Sequence, residues 1–439
     1  MSSDTPILND ILVHYRMESD HDRWLNGWAS SEVQYKSNLD ILEERFLNQQ
    51  CRFLALDKNV HAAVLAGRSL FEREPMLRRL LWHAHYTGFK QDFPDASAFH
   101  WPDIPDTIDA ATPLFYVYVF LSGVPTILEH HRKLGIPEQV SVDTLQELQF
   151  WIYDERRKNN RWGLDQAQVS WLGLHFTGEL YQLGRLQFQF STYYYDFVSY
   201  RHRSTGRVVV LTTDGMEFRK DGQFNGTNGF NDPAAWTASL TITDKTISGY
   251  PVHPYGYVLP KRMVLQKEEW DLILKKGDPT IAVHILGSGP MNFEACKASY
   301  EEAFSFWNRY FPHYISHAFT CSSWLLDQQF EKALQAESNI ARFLKEWYLT
   351  PVARAGDKET IRRVFGIPNA KLEDMIHLPR TTSLQRAVIN HMLQGGRWRY
   401  GAGVMFPHNF GWGEQVHRRD FRDIERINTL ENIVYKHDV

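Results

Sequence analysis

The sequence has few cysteines and no cysteine motif. Its 439 residues contain three cysteines, Cys51, Cys296 and Cys321. Three thiols cannot all pair, and none of them lies close to another, which argues against a disulfide framework and against a structural zinc site. The sequence therefore predicts a protein of a reducing compartment that holds no metal.

A secretory signal, a membrane span and a basic stripe are also missing from the pattern. The N-terminal stretch MSSDTPILNDILVHY has no basic start followed by an apolar run, so no signal peptide is expected. The most apolar stretch, Pro113 to Val124, is too short to cross a bilayer and predicts a buried helix. The 48 basic and 52 acidic residues nearly balance, which disfavours nucleic acid as a partner. We expect a cytoplasmic protein with no membrane and no nucleic-acid partner.

What the sequence does contain is a periodicity that changes along the chain. Up to about residue 155 the apolar residues recur at helical spacing, as from Leu77 to Leu81, and alternating stretches are scarce. From about residue 175 the pattern alternates, as from Leu186 to Phe190. The fold class predicted is α+β, with a helical N-terminal domain over residues 1–155 and a mixed α/β domain over residues 156–439.

The most informative pattern is a strand, a glycine loop and a helix in succession. Thr280 to Leu286 is a short apolar run typical of a buried strand, and Phe293 to Phe311 carries apolar residues at helical spacing. The loop Gly287-Ser288-Gly289 between them lets the backbone approach a ligand closely, and a helix start near Pro290 or Met291 would offer N–H groups to an anion. Taken alone, a Gly-x-Gly segment before a helix is more often an ordinary turn than a binding loop.

The segments after this helix have predictions of their own. Residues 315–326 are expected to form a strand, Ser338-Asn339 a helix cap or turn, and residues 341–349 a strand rather than a helix. Helices are expected over Asp327–Leu334, Asp357–Phe365 and Thr382–Leu393.

Five spaced segments together resemble a known family. They read LYQLGRLQFQ, EEWDLILKKGDPTIAVHILGSGPMNFEACKASYEEAFSFWNRYFP, FTCSSWLLD, SNIARF and LPRTTSLQRAVINHMLQGGRWRYGAG. This set is similar to the bacterial acyltransferase domain-containing proteins, which join an N-acyltransferase N-terminal domain to a GNAT-like C-terminal domain. The resemblance covers residues 35–430 and implies a mixed sheet that splays at its middle to hold acyl-CoA. The stretch from residue 186 to 270 implies strands in addition to that core.

The resemblance implies an acyl-CoA-dependent N-acyltransferase. Acetyl-CoA or a longer acyl-CoA would be the co-substrate, and an amine on a small molecule would attack the thioester directly, without a metal. In GNAT enzymes the loop reads Gln or Arg, two residues, Gly, one residue, then Gly or Ala, and this chain departs from that pattern by having His284 first. The cofactor-binding residues implied are His284, Ile285, Gly287, Ser288 and Gly289.

The candidate catalytic residues are Tyr348, Ser322 and His284. GNAT enzymes often use a tyrosine as the acid for the leaving thiolate, which suggests Tyr348. Ser322 could present its hydroxyl to a ligand or bond within the strand end, and His284 could be a base at the loop mouth or a residue that holds the loop. Arg185 and Gln187 could point into a cleft or into solvent.

Two other functions remain open from the sequence. One is a non-catalytic small-molecule-binding protein on the same scaffold, since the Gln or Arg of the loop is missing and no acid–base pair is evident. The other is a hydrolase that uses Cys321 or Ser322 with His284 or His317. Because Cys321 lies in an apolar strand-like run, we predict that it is buried and unreactive.

Overall fold

The structure, a computed structural model, describes residues 7–90, 96–367 and 372–422. The chain divides into two compact units. The first unit covers the chain up to Gln189 together with the short segments Leu286–Ser288 and Asn308–Tyr310, and the second unit contains the rest. The domain boundary predicted after residue 155 stays a prediction.

Helices build the first unit up to residue 176, which confirms the helical N-terminal region. Their apolar faces share one core in which Trp24, Leu80 and Phe120 are fully buried. The helices are α1 (Leu8–Tyr15), α2 (His21–Leu25), α3 (Trp28–Val33), α4 (Glu44–Phe53), α5 (Lys58–Arg73), α6 (Pro75–Phe89), α7 (Phe115–Leu134), α8 (Glu138–Leu145), α9 (Glu147–Asn159) and α10 (Val169–Phe176).

Helix α7 contains the most apolar stretch of the chain and lies inside the first unit. Every residue from Phe115 to Val124 is buried, which confirms the predicted buried helix. By length and composition the helix could cross a membrane, but 78% of its most apolar window is buried within the protein. It ends at Gly135, whose φ of 75° is a left-handed value that glycine adopts without a steric penalty.

A tight hairpin follows the last helix of the first unit. Strands β1 (Leu180–Leu183) and β2 (Leu186–Thr192) pair antiparallel. The two-residue turn Gly184-Arg185 joins them, and the φ of Gly184 is +61°, as a turn of this length requires. Arg185 therefore stands at the tip of the hairpin.

Residues 197–274 of the second unit supply the additional strands that the sequence predicts. They form a five-stranded sheet in the order β10-β9-β4-β3-β12, a three-stranded sheet β11-β8-β7 and the pair β5-β6. Their bounds are β3 (Phe197–His202), β4 (Val208–Thr212), β5 (Glu217–Phe218), β6 (Trp236–Thr237), β7 (Thr241–Ile242), β8 (Thr246–Gly249), β9 (Pro251–His253), β10 (Tyr257–Val258), β11 (Met263–Gln266) and β12 (Trp270–Leu274).

The remainder of the second unit alternates strands and helices. The elements are β13 (Pro279–Ile285), α11 (Phe293–Tyr310), β14 (Phe319–Ser323), α12 (Phe330–Ala333), α13 (Asn339–Lys345), β15 (Tyr348–Ala355), α14 (Asp357–Phe365), α15 (Ser383–Leu393) and β16 (Arg399–Met405). In the second unit these strands follow the order β13-β14-β16-β15, with β13 and β14 parallel and the other pairs antiparallel. The predicted α+β class, with a mixed domain that carries extra strands, is confirmed.

The strand prediction for residues 341–349 is wrong in its first half. Helix α13 continues to Lys345, and strand β15 begins only at Tyr348. The Ser338 side chain accepts a hydrogen bond from the Ala341 amide, so the predicted cap at Ser338 is confirmed and starts this helix. A run this short has too few apolar positions to separate a period of 3.6 from a period of 2, and the cap was the better signal.

Candidate active site

The parallel strands β13 and β14 separate part-way along their length. Within the part of the chain that the structure describes, their shared ladder ends at the pair Ala282 and Thr320. Strand β13 continues beyond Ala282 to Ile285, and β14 continues beyond Thr320 to Ser323. Backbone groups along such a gap can bond to an extended ligand in the way that an added strand would. This gap corresponds to the splay that the family resemblance implies.

Alternation along β14 gives the sheet two different faces. Phe319 lies against helix α11, where the ring of Tyr300 is 5.4 Å from the ring of Phe319. Cys321 is two residues further along and shares that face, whereas Thr320 and Ser322 point to the opposite face. The helix therefore covers one face of the gap, and Ser322 belongs to the other.

His284 and Ser322 stand opposite each other just beyond the end of the ladder. Counting two residues along each strand from Ala282 and Thr320 reaches His284 on β13 and Ser322 on β14. Because the count is even on both strands, the two side chains share the face away from α11. The structure thus brings together two of the three catalytic residues predicted from the sequence.

Two tyrosine hydroxyls lie near Ser322. The Tyr194 and Tyr195 hydroxyl oxygens are 2.6 Å apart, and Ser322, which is exposed, lies close enough to Tyr195 to oppose slightly the effect of burial on the pKa of its phenol. Burial raises the pKa of Tyr195 well above its ordinary value, so its phenol stays protonated, while Tyr194 is 56% exposed. Three hydroxyls therefore lie near one another, and two of them, those of Ser322 and Tyr194, belong to exposed residues.

His284 is a neutral imidazole at neutral pH. The residue is only partly exposed, and burial lowers the pKa of its ring from 6.5 to about 4. A neutral ring can accept a proton, whereas it cannot provide the positive charge that an arginine at the same position would bring. His284 can therefore act in proton transfer, but it cannot attract phosphate through a positive charge.

The glycine loop is exposed and leads into a capped helix. Gly287, Ser288 and Gly289 are exposed, and the φ of Gly289 is +73°, a conformation that other L-residues adopt only with strain. Helix α11 begins at Phe293, slightly later than predicted, because Asn292 acts as the cap and its side chain accepts a hydrogen bond from the helix.

The segment Leu286–Ser288 has its own contacts within the first unit. The Arg185 guanidinium donates a hydrogen bond from Nη2 to the carbonyl oxygen of Leu286, at 3.0 Å. A methyl group at Gly287 would come within 2.8 Å of the ring of Phe150, so only glycine fits there without movement of that ring. The sequence left the direction of Arg185 open, and the structure shows it holding the loop.

Gln187, the second residue whose direction was left open, is buried and does not reach solvent. Its amide nitrogen donates to Glu147 Oε2 at 3.2 Å and lies 3.1 Å from His175 Nε2. Glu147 Oε1 also accepts from the indole of Trp151 at 2.9 Å. These contacts satisfy a carboxyl group inside the first unit, which is a structural role.

Tyr348 lies on the same face of the sheet as Ser322 but two strands away. It pairs with Val404 of β16, which in turn pairs with Thr320 of β14, a separation of about 10 Å at ordinary strand spacing. Tyr348 is fully buried, and its hydroxyl donates to the carbonyl of Val252 at 2.6 Å and accepts from the amide of Val210 at 3.3 Å. The structure therefore does not bring this candidate together with His284 and Ser322.

The residues of the hydrolase alternative are separated by the strand geometry. Cys321 is 3% exposed, which confirms its predicted burial, and burial raises the pKa of its thiol to about 12. It lies on the α11 face, whereas His284 lies on the other. The ring of His317 is bonded to the carbonyl of Ile273, at 3.0 Å. Among the described residues, no group of three or more His, Cys, Asp or Glu side chains could hold a metal ion.

Tyr194 and Tyr195 are not among the residues predicted from the sequence. They belong to a run of three tyrosines, Tyr193 to Tyr195, that has the composition of an ordinary strand. Three consecutive tyrosines cannot all face one core, and that was the available signal for a functional hydroxyl.

Comparison with known families agrees with this architecture. Residues 45–178 match the N-acyltransferase N-terminal domain, and residues 180–405 match the GNAT-like C-terminal domain. The chain belongs to the family that joins these two domains. No curated protein matches this acyltransferase-family chain.

Solved structures similar to this family member have been determined with ligands. They include an acyltransferase in complex with decanoyl-CoA and teicoplanin, an acyltransferase with CoA and 10C-teicoplanin, and an acyltransferase mutant with octanoyl-CoA. Each is 23% identical, covers 91% of this chain and 98% of its own, and superposes with a TM-score of 0.62. At this identity the likeness shows the fold.

Proposed function

We propose that this protein is an acyl-CoA-dependent N-acyltransferase that moves an acyl group from the CoA thioester to an amine of a small molecule. The observation that carries the proposal is the gap between β13 and β14, with His284 and Ser322 on its two sides. Membership of the family supports it, and so do the decanoyl-CoA, octanoyl-CoA and teicoplanin bound in the similar structures.

The co-substrate would follow the strand and the glycine loop. The acyl-pantetheine arm would lie along the β13 side of the gap, at His284 and Ile285, with a backbone N–H polarising the thioester carbonyl. The pyrophosphate would bind at Gly287, Ser288 and Gly289, where the exposed backbone precedes a helix. Acetyl-CoA and longer acyl-CoA esters are the donors to be compared.

The acid–base chemistry uses side chains on the face of the gap that points away from α11. The amine nitrogen attacks the thioester carbon, the new C–N bond forms, and the C–S bond breaks with its electron pair on sulfur. Neutral His284 accepts the proton that the amine loses. The leaving thiolate receives its proton from Ser322, an exposed hydroxyl that regains a proton from solvent, with the Tyr195 and Tyr194 hydroxyls beside it. The products are an amide and free CoA thiol, with no covalent enzyme intermediate.

Release of CoA thiol tests this function. The protein is incubated with acetyl-, octanoyl- or decanoyl-CoA and a panel of small-molecule amines, amino sugars among them. We expect thiol release that depends on the amine and falls strongly in His284→Gln. His317→Gln is the matched control, because His317 is exposed and lies outside the proposed machinery. Saturable binding of CoA esters without turnover by any amine would instead support the non-catalytic binding protein.

A further inference from the structure

The glycine loop itself has no cation for the pyrophosphate of CoA. Residues 286–289 are Leu, Gly, Ser and Gly. His284, which stands where related loops have Gln or Arg, is neutral because burial lowers its pKa to about 4. Backbone N–H groups alone bind a doubly charged group less strongly than N–H groups assisted by an arginine, because charge-assisted hydrogen bonds are the stronger ones. A cation from another part of the chain would complete the site.

Arg185 is in a position to be that cation. It stands at the tip of the β1–β2 hairpin, and its Nη2 bonds to the carbonyl of Leu286, the residue immediately before Gly287. A guanidinium is charged at every accessible pH and presents its donors in a planar fork that suits phosphate oxygens. Its charge therefore lies one residue away from the exposed loop backbone.

The loop is also fixed from a second side within the first unit. The ring of Phe150, on α9, packs so closely on Gly287 that a Cβ there would lie 2.8 Å from it. Arg185 and Phe150 together hold Leu286 and Gly287 in one backbone conformation. A fixed backbone binds a ligand with a smaller entropic cost than a loop that must order on binding.

We infer that Arg185 is the phosphate-recognising residue of the CoA site, holding the Leu286 carbonyl and placing its positive charge beside the pyrophosphate. This inference rests on the proposed function, since it assigns a binding residue to the same site. Related loops have Gln or Arg at the position of His284. In this chain the inference gives that role to Arg185, about a hundred positions earlier.

Calorimetry with two ligands separates an effect of the Arg185 charge on the phosphates from a general loss of loop structure. CoA carries the pyrophosphate, and acyl-pantetheine is the same thioester arm without any phosphate. For Arg185→Gln we expect the Kd for CoA to rise about 10- to 100-fold, with a smaller rise for Arg185→Lys, which keeps the charge but loses the fork. The Kd for acyl-pantetheine should change by less than about threefold, as expected of a residue that acts on the phosphates.

Arg203→Gln is the matched control, because Arg203 is an exposed arginine near another hairpin turn and its loss changes the net charge equally. Its Kd for CoA should stay within about twofold of the parent, since exposed ion pairs and distant charges contribute little. Salt should weaken CoA binding of the parent more steeply than that of Arg185→Gln. Equal affinity of the parent and Arg185→Gln for CoA would overturn the assignment, as would an equal loss for CoA and acyl-pantetheine. A parent that binds no CoA ester would overturn the proposed function itself, and that result needs no variant.

Discussion

His284 and Ser322 face one another across two parallel strands at the point where the strands have stopped pairing. One side chain is a neutral imidazole, and the other is an exposed hydroxyl near the hydroxyls of Tyr195 and Tyr194. A group inserted between the strands would therefore have a proton acceptor on one side and a proton donor on the other.

The hydroxyls of Tyr195 and Tyr348 should differ in what they contribute. Tyr195→Phe removes the hydroxyl that lies near both Ser322 and Tyr194, and we expect kcat to fall about 10- to 100-fold at unchanged stability. Tyr348→Phe leaves the Val252 carbonyl and the Val210 amide without the phenol, and should cost about 1 to 3 kcal/mol of unfolding free energy with kcat nearly unchanged. Steady-state kinetics and urea unfolding on both variants decide this. A large fall of kcat in Tyr348→Phe with little change in Tyr195→Phe would instead support Tyr348 as the acid that protonates the leaving thiolate.

His284 should have a distinct pH signature. The pKa of its ring is lowered to about 4, so the ring is already neutral at pH 5 and above. We expect His284→Gln to lower kcat by about 10²- to 10⁴-fold, as loss of a general base does. We expect no titration step near pH 6.5 in the kcat of the parent protein that depends on His284. A step at pH 6.5 that His284→Gln removes would mean that the ring is solvated and ordinary.

The protein should lose stability in mild acid. Burial lowers the pKa of several histidine rings from 6.5 to about 3 or 4, whereas in the unfolded chain they titrate near 6.5. The unfolded state therefore binds more protons between pH 6.5 and 4, and each ring removes about 1.4 kcal/mol of stability per pH unit in that window. The burial that lowers these pKa values is found in both units, at His83, His85, His131, His253, His284 and His417.

Glu346 opposes this trend, because burial raises the pKa of its carboxyl to about 7 and its folded form gains protons as the pH falls from 7 towards 4.5. Burial raises the pKa values of Asp103 and Asp327 as well, and three carboxyls cannot balance six histidines. The urea midpoint, followed by tryptophan fluorescence, should therefore be clearly lower at pH 5 than at pH 7. Equal midpoints at the two pH values would show that the rings are not buried as described.

Gly289 should matter for CoA and little for folding. Its φ is +73° and nothing lies within 4 Å of an added Cβ, so Gly289→Ala strains only the backbone, by about 1 kcal/mol. Gly277 has a φ of +95° in equally open space, and Gly277→Ala is the matched control with similar strain. We expect both to lower stability alike and only the first to weaken CoA binding. Gly289→Glu should abolish binding through its charge, and retention of parental affinity would contradict the loop site.

The three thiols should resist modification in the native protein. Cys51, Cys296 and Cys321 are buried, and burial raises the pKa of Cys51 to about 11 and that of Cys321 to about 12. A thiol that is neither exposed nor ionised reacts slowly. A thiol reagent monitored by mass spectrometry should add three labels in urea and none in buffer. Rapid labelling of Cys321 in buffer would reopen its role as a nucleophile.

The sequence predicts elements well where the signal is local. Helix α14 has the predicted bounds Asp357–Phe365, and Ser338 is the predicted cap, because periodicity and capping depend on neighbouring residues. The loop Gly287–Gly289 was found by its glycines. Residues such as Arg185 and Tyr195 were not assigned, because their partners are far away in the sequence and only the fold brings them together.

The most direct test of the site is hydrogen exchange with and without a bound donor. The protein is saturated with a thioether analogue of acyl-CoA, which cannot be turned over, and peptides are analysed by mass spectrometry. We expect added protection in the peptides that cover residues 283–291 and 320–324, and little change in β7 and β8 of the second unit. Saturable binding of the analogue with no protection in either of the two segments would contradict the placement of acyl-CoA between His284 and Ser322.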